Sequence, residues 1–530
     1  MASQNFQILC ESLTILIKVQ NFATTTLTLR QALQAARTRS DYLQIQTISQ
    51  NIPNKQLSNP VLAELLAVLT YRTGSVKRYQ EICQHFPEQL QIFQAWINLE
   101  QGNWQLAQQQ SRPADNSNHS DIAWRIQARA SFHLEDPQWQ EIYAQAFKHL
   151  TGRQKGLCLL EYGTILTFKG KNSEARSVYA NAFHDLKNDP YFAAMLQHNL
   201  GMACIRIQDF QAAENAFQKA MKYAKYPEAN DFLSAAWCGL GSVRRAYQEY
   251  PRALHAFEQA NTKASTDVDR IHAARNLGHT KRLMLDTDGA LAAFEEARRF
   301  ISGKHELYAE IAATKLQNND LLGAIQALEM LGENDESENQ RAIIVKAEIQ
   351  RRQKNKREAK KLLAQIDMTS VWASEEAQVF PELFALHKKQ YSFRAMQIRI
   401  NTNGAIQVFI NNRPLPIKPL ATSSSLLALL CLEHGKISVD RAIENLNPKE
   451  SDLRNEYQYK RALYKTVDEL REILGWKNAV CIQAKIIFLE TSPFVQWNEL
   501  ETPPPERTEL FCEGHDNNWV RQWREAHMRI

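Results

Sequence analysis

Polar and cationic side chains recur at helical spacing in residues 456–474. One face of the predicted helix carries Gln458, Arg461, Lys465 and Asp468, with Tyr464 at its flank. Arginine, lysine and glutamine can donate to base edges and phosphates in a DNA major groove, and aspartate can accept from a cytosine amine. Asp468 and Glu472 also oppose phosphate and would weaken non-specific binding. The opposite stripe has the spacing of a core face and consists of Leu463, Val467, Leu470 and Leu474.

Two other positions are suited to phosphate. Lys485 is at the tip of a predicted hairpin of strands 480–483 and 486–489, where a lysine could meet phosphate in an adjacent minor groove. Ser423 and Ser424 are at the start of a leucine-rich helix, and hydroxyls at a helix N-terminus can also bond phosphate. The alternative is that these charges form a solvated face of a module that binds protein.

The elements that must position these residues follow one another closely. The pattern predicts strands at 396–400, 407–410 and near 415–417, with a turn at Asn411 and Asn412. Helices are predicted at 424–433, 439–446 and 456–474, before the closing hairpin. This order is that of a winged helix, with the third helix as the one that would enter the groove.

Residues 394–492 resemble the OmpR/SARP-type winged-helix family. The resemblance rests on the leucine-rich first helix and on the pairs Leu470-Arg471 and Leu474-Gly475 near the end of the third. It implies a DNA-binding domain. The second strand of the wing departs from the family, because Ile486–Leu489 replaces the usual Gly-Tyr. Residues 493–530, a proline linker and a helical tail, resemble the start of the activator domain that follows DNA-binding domains of the SARP type.

A repeat precedes this region. A small residue is followed by alanine twelve positions later and by a bulky residue after four more, six times in register. A small residue lets the second helix of a hairpin cross closely, and the bulky residue fills the space beside it. The Leu-Gly pairs at 200–201, 240–241 and 277–278 resemble the tetratricopeptide repeat, which implies an α-solenoid. We expect tetratricopeptide repeats at 151–390 and divergent helical repeats at 1–150. The first members of the six copies are Gly163, Gly201, Gly241, Gly278, Ala312 and Ala347.

The concave side of this solenoid is a candidate ligand groove. In peptide-binding tetratricopeptide proteins an asparagine often holds the peptide backbone, and the resemblance places His198-Asn199 and Arg275-Asn276 at equivalent positions. Nearby cations would suit an anionic ligand or a peptide carboxylate. The alternatives are solvated helix residues and a scaffold with no ligand. The full predicted groove set is His198, Asn199, Arg206, Arg245, Arg275, Asn276, His279 and Arg282.

Composition restricts the remaining classes. The net charge of +5, from 63 basic and 58 acidic residues, is too mild to indicate nucleic acid by itself. The eight cysteines are scattered without zinc-binding spacing. The sequence contains no GxxxxGK[ST], HExxH or GxSxG motif and no apolar run of membrane-spanning length. We therefore expect a protein that binds no cofactor or metal ion, does not associate with a membrane and is not an enzyme.

These observations predict a mainly α protein: a tetratricopeptide-type α-solenoid followed by a small α/β winged-helix domain. The predicted function is a bacterial, cytoplasmic, DNA-binding transcriptional regulator whose solenoid senses a peptide, protein or small ligand. Double-stranded DNA is the expected partner, with RNA polymerase and a second copy of the chain left open. The alternative is a scaffold or adaptor whose winged helix mediates protein–protein interaction.

Overall fold

The computed structural model describes residues 2–53, 59–74, 82, 90–111, 119–331, 340–387, 394–446 and 456–528. It divides into two compact units, Met1–Ala236 and Trp237–Ile530. The chain is mainly helical, and its helices form a tetratricopeptide-like solenoid with a small α/β region near its C-terminal end. The predicted fold class is confirmed at this level.

The first unit consists of antiparallel helical hairpins. Their apolar faces form its core, which includes Phe6, Leu13, Phe93 and Trp96 around the first helices. The helices are α1 (Ala2–Lys18), α2 (Phe22–Ala35), α3 (Arg39–Ser49), α4 (Pro60–Thr73), α5 (Gln91–Glu100), α6 (Trp104–Gln110), α7 (Ser120–His133), α8 (Trp139–His149), α9 (Gly152–Phe168), α10 (Asn172–Leu186), α11 (Pro190–Arg206) and α12 (Phe210–Tyr223). Helix α13 (Phe232–Ala246) begins here and ends in the second unit.

The second unit continues with the same kind of hairpin. Its solenoid part ends in two shorter helices, of which α21 bears acidic residues that matter below. The helices are α14 (Tyr250–Lys263), α15 (Asp267–Leu283), α16 (Thr287–Arg298), α17 (Leu307–Gln317), α18 (Leu321–Glu329), α19 (Gln340–Arg352), α20 (Lys356–Leu363), α21 (Val371–Val379) and α22 (Pro381–Phe384).

Glycine and an aromatic ring set the close crossing in four hairpins. A β carbon added to Gly278 would lie 2.5 Å from the Phe294 ring, and one added to Gly201 would lie 2.6 Å from the Phe217 ring. Both rings are completely buried. Because no side chain fits between helix and ring, the small first residue of the repeat is a packing requirement. The pairs Gly163–Tyr179 and Gly241–Phe257 have the same geometry.

The turn between the helices of a repeat also recurs. Seven residues after each small residue the backbone is left-handed, with φ between 61° and 76° in all six copies. Glycine occupies this position only at Gly170; the other residues there are Gln208, Gln248, Leu285, Asn319 and Lys354. The next residue directly precedes the second helix, and in four copies its side chain caps that helix by accepting a backbone N–H: Asp209, Asp286, Asp320 and Asn355.

The α/β region contains two small sheets. The first has strand order β3-β2-β1-β7 and the second β4-β6-β5, with β1 and β7 parallel and all other pairs antiparallel. The elements are β1 (Met396–Asn401), β2 (Gln407–Ile410), β3 (Arg413–Pro414), α23 (Thr422–Leu432), β4 (Lys436–Ser438), α24 (Val439–Leu446), α25 (Glu456–Leu474), β5 (Val480–Gln483), β6 (Ile486–Leu489), β7 (Val495–Trp497) and α26 (Asn518–His527).

The strands differ from the expectation in two respects. The third strand is Arg413–Pro414 rather than 415–417, because Asn411 and Asn412 both have positive φ and close a two-residue turn. Strands β4 and β7 were not predicted. The tail packs into the same core: Phe511, Trp519 and Val520 are buried, and Trp519 Nε1 donates to Ser425 Oγ at 3.2 Å.

Candidate functional site

Helix α25 separates an apolar face from an exposed polar face. Leu463, Val467, Leu470 and Leu474 are at most 5% exposed and belong to the core of the α/β region. The residues predicted to meet DNA lie outside this core and are exposed: Gln458, Arg461, Tyr464, Lys465 and Asp468. The structure therefore places these five on the solvent side of one helix. Asp468 accepts from Arg471 at 2.8 Å, which partly offsets its charge.

Lys485 lies at the tip of the β5–β6 hairpin. Ala484 and Lys485 have φ values of 50° and 62° and form the tight turn, and the Lys485 side chain is exposed. Its carbonyl accepts from the Val439 backbone N–H at 2.9 Å, which ties the tip to the start of α24. The tip of this short hairpin is therefore fixed against the start of α24, and it projects one cation.

The two serines are not available to phosphate, which corrects the expectation for them. Ser423 and Ser424 are 1% and 0% exposed. The Ser424 hydroxyl donates to the carbonyls of Pro419 and Ala421, at 2.7 and 2.6 Å. The helix begins at Thr422 rather than at residue 424, so both serines lie inside its first turn against the core.

The α/β region is fixed to one turn of the solenoid. Asn411 Nδ2 donates to the Tyr247 carbonyl at 3.1 Å, and the Arg413 guanidinium lies 3.5 Å from the centre of the Tyr247 ring. Arg413 also forms an ion pair with Glu249, which is completely buried and pairs at 2.5 Å with Arg252. Glu249 occupies the turn position where four other repeats have a capping Asp or Asn, and its own side chain caps no helix. In this repeat the residue before the second helix therefore binds Arg413 of the α/β region instead of capping the helix.

The C-terminal end of α25 lies close to the same turn at Glu249. Gly475 follows α25 with a φ of 88°, and a β carbon added to it would be 3.1 Å from Arg252 Nε and 3.4 Å from Arg244 Nη2. The rings of Phe494 and Tyr250 meet edge to face at 6.4 Å. The C-terminal end of α25 is therefore in direct contact with the solenoid, while the polar face of the helix is exposed.

The groove residues predicted in the second unit have internal partners. Arg245 Nε donates to Glu375 at 2.9 Å and Arg245 Nη1 donates to Asn276 at 3.0 Å. Arg282 pairs with Glu376, and both side chains are completely buried. Glu375 and Glu376 belong to α21, so carboxylates of the chain itself pair with these cations. Arg245, Arg275, Asn276 and His279 still line an open cleft. Arg275 completes the set by pairing with Glu306 and, at 3.3 Å, with Glu310.

His279 is at the centre of this network. Its Nε2 is 2.9 Å from Glu375 and its Nδ1 is 3.1 Å from Arg282 Nη2. Burial, reinforced by Arg341 and the other arginines, holds the pKa of His279 well below its usual value. A neutral ring that donates from Nε2 to Glu375 and accepts from Arg282 at Nδ1 fits these contacts. Exposed ligand-binding roles for His279 and Arg282 are therefore corrected: both side chains are buried and already bonded.

The other predicted groove residues lie in the first unit. The His198 ring packs at 5.7 Å against that of Phe217, and Asn199 is half-buried. Arg206 is exposed, and its Nη1 donates to the Thr167 carbonyl at 3.3 Å. These three do not line the arginine-rich cleft of that unit. The arginines that line this cleft include Arg39 and Arg125, from the divergent repeats, and Arg153, at the start of α9.

Two further findings concern metal ligands and membrane-spanning helices, and both apply to the residues that the structure describes. There, no three histidine, cysteine or acidic side chains group as metal ligands. Over the same residues, no helix combines the length and apolarity needed to cross a bilayer.

Known protein structures resemble this chain at low sequence identity. No protein-family model matches the chain, and no curated protein matches it. Among solved structures, the apo form of RapI is 11% identical, with 73% of this chain and 99% of that one covered at a TM-score of 0.43. The apo quorum sensor NprR from B. thuringiensis is 12% identical, with 56% and 92% covered and a TM-score of 0.42. A tetratricopeptide repeat protein from Parabacteroides merdae is 15% identical, with 48% and 97% covered and a TM-score of 0.38.

Proposed function

We propose that this protein is a DNA-binding transcriptional regulator in which a helical-repeat solenoid senses a ligand and controls a C-terminal winged helix. The observation that carries the proposal is α25, which buries one apolar stripe and leaves Gln458, Arg461 and Lys465 exposed on the other side. An exposed face of this composition is suited to base edges and phosphates. Lys485, exposed at the hairpin tip, supplies a cation where a wing would meet the backbone.

The topology of the α/β region supports a winged helix of the OmpR/SARP type. Three short strands precede three helices, and a hairpin follows the third helix. In this proposal residues 394–492 bind double-stranded DNA, residues 1–390 sense a peptide, protein or small ligand, and the protein works in a bacterial cytoplasm. RNA polymerase and a second copy of the chain are further candidate partners.

The ion pair between Arg413 and Glu249 could couple ligand sensing in the solenoid to DNA binding by the α/β region. Arg413 pairs with Glu249 in the turn between α13 and α14, and Gly475 lies beside Arg244 of α13 and Arg252 of α14. A change in packing at this turn would therefore move the C-terminal end of α25. Rigid-body displacement of a docked domain is a common means of coupling two sites.

The test is genome-wide DNA capture with purified full-length protein at near-physiological salt. We expect enrichment of a short motif. Arg461→Ala combined with Lys465→Ala should lower affinity at least about 10-fold and reduce the salt slope by roughly 2, because two cations are lost. The matched control is Arg441→Ala combined with Arg521→Ala, which removes two exposed cations outside α25 and should leave the motif unchanged. Capture no better than non-specific binding would contradict the proposal.

One observation favours a second candidate, an adaptor whose winged helix binds protein. Asp468 shares the exposed side of α25 with the cations, and residues 394–492 hold 14 basic and 10 acidic side chains, a modest excess. A stable protein partner in a pull-down, without a salt-dependent affinity for DNA, would favour the adaptor.

A further inference from the structure

The first unit contains a cleft of about 340 Å³ between helices α3, α4, α5, α7, α9 and α11. Its volume is at the lower end of the range for small-molecule sites and is small for an extended peptide. An apolar wall includes Tyr71, Trp96, Leu157, Phe192 and Met195. Five arginines share the cleft: Arg39, Arg72, Arg125, Arg129 and Arg153.

Four of the five arginines are partly neutralised. Arg125 pairs with Glu161, and the pairs Arg72–Asp121, Arg129–Glu100 and Arg153–Asp189 are 3.4, 2.6 and 3.2 Å long. Arg39 differs: its guanidinium stacks 4.1 Å from the centre of the Tyr191 ring, and no carboxylate of the described residues pairs with it. The cleft therefore keeps an excess positive charge at Arg39.

Several buried N–H groups of the lining side chains lack an acceptor. Gln154 is 6% exposed; its Oε1 accepts from Arg125 Nη1 at 3.0 Å, while its Nε2 has no hydrogen-bond partner. The Nε atoms of Arg125 and Arg153 are likewise buried and unpaired. A buried donor without an acceptor is costly, so such groups point to an oxygen acceptor that is supplied from outside the chain.

We propose that this cleft binds a small amphipathic carboxylic acid, with an apolar body against the aromatic wall and the carboxylate against Arg39 and the Gln154–Arg125 donors. A carboxylate can accept several N–H groups at once and offset the excess charge. The short, partly apolar cleft favours a compact acid over a peptide. The inference rests on the proposed sensing role of the solenoid and names its ligand class, at a site distinct from the groove expected from the repeats.

The experiment measures direct binding to the full-length protein without DNA, by ligand-observed NMR and calorimetry. The panel contains 3-phenylpropionate, octanoate and indole-3-acetate, each with its neutral amide, together with inorganic phosphate and an acetylated acidic tetrapeptide. We expect at least one acid to bind with a dissociation constant of about 0.1–1 mM, as suits a fragment of this size. Its amide should bind at least about 10-fold more weakly, because charge-assisted bonds are lost.

Two variants and a control locate the site. Arg39→Ala and Gln154→Leu should each weaken the acid about 10-fold or more. Arg30→Ala removes an exposed cation of α2 outside the cleft and should change nothing. If Gln154→Leu does not fold, Arg39→Ala still decides, because Arg39 is half-exposed and its guanidinium pairs with no carboxylate in the described parts of the chain.

The proposal is overturned if the amides bind as well as the acids, if only phosphate or the tetrapeptide binds, if no acid binds, or if Arg39→Ala leaves affinity unchanged. DNA capture without acid is measured separately. Loss of acid binding with intact DNA binding refutes this inference alone, and the reverse result refutes the regulator alone.

Discussion

Arg413 donates to the carboxylate of Glu249, which is completely buried at the turn between α13 and α14. The two residues are far apart in sequence, and the pair joins the β2–β3 turn to a solenoid repeat. Since Arg252 contacts the same carboxylate at 2.5 Å, Glu249 holds two arginines from different parts of the unit.

Arg413→Met should loosen this junction. Removing one of two partners of a buried carboxylate costs about 1–3 kcal/mol. Hydrogen exchange at the backbone amides of Asn411 and Glu249 should accelerate accordingly. The control, Arg441→Met, breaks a more exposed pair with Glu433 worth about 0–1 kcal/mol. Equal exchange in the two variants would show that the ion pair does not fix the junction.

Gly278→Ala should destabilise the second unit. Its new β carbon would lie 2.5 Å from the Phe294 ring, and overpacking of this kind costs about 1–3 kcal/mol. Phe294→Leu removes the ring, so the double variant should lose less stability than the two single losses combined. Denaturant midpoints measure all three. Simple additivity would exclude the steric account.

Leu285→Asn should stabilise the protein by about 0.5–1 kcal/mol. Leu285 is held at a φ of 64°, which is unfavourable for leucine and tolerated by asparagine, and the side chain is 71% exposed. Gly170→Ala makes the opposite change at the equivalent turn, at a φ of 76°, and should destabilise. Thermal midpoints test both. A lower midpoint for Leu285→Asn would contradict the strain argument.

Stability should fall as pH drops below about 6.5. An unfolded histidine takes up a proton near that pH, whereas the pKa of buried His279 is well below it, so the unfolded state binds more protons. One such group contributes at most about 1.4 kcal/mol per pH unit. His133 and His255, whose pKa values burial also lowers, add to the slope with the same sign.

His279→Gln should flatten the slope, since glutamine does not titrate and can still donate to Glu375. The control is His184→Gln, because the His184 side chain is 83% exposed. Denaturant midpoints at pH 7.0 and 5.5 give the comparison. If His279→Gln kept the full slope, the titrating group would be elsewhere.

The sequence predicts what depends on local spacing. The Gly-to-aromatic interval of sixteen residues located the helical crossings, and the stripe Leu463, Val467, Leu470 and Leu474 gave the buried face of α25. In each case one helix or one hairpin contains the whole pattern. The left-handed turns were not predicted, because residues such as Gln208 and Leu285 give no local signal for positive φ.

Long-range partners were not accessible to the same reasoning. Arg245 and His279 were expected to face a ligand, but their carboxylate partner Glu375 lies 130 residues after the first and 96 after the second. Repeat counting identifies one wall of a groove and says nothing of the α21 carboxylates that pair with that wall. Strand β7 was missed for a similar reason, because its partner β1 is about a hundred residues earlier.

The pairing of β1 with β7 has a consequence during translation. Each solenoid hairpin is built from contacts between neighbouring stretches of chain, so it can fold as it leaves the ribosome. The sheet that begins at Met396 cannot be completed until Val495–Trp497 has been synthesised. The core beneath it also needs Trp519 and Val520, which are synthesised later still. The repeats would thus be in place, with the Glu249 turn already formed, before the domain that docks there can close.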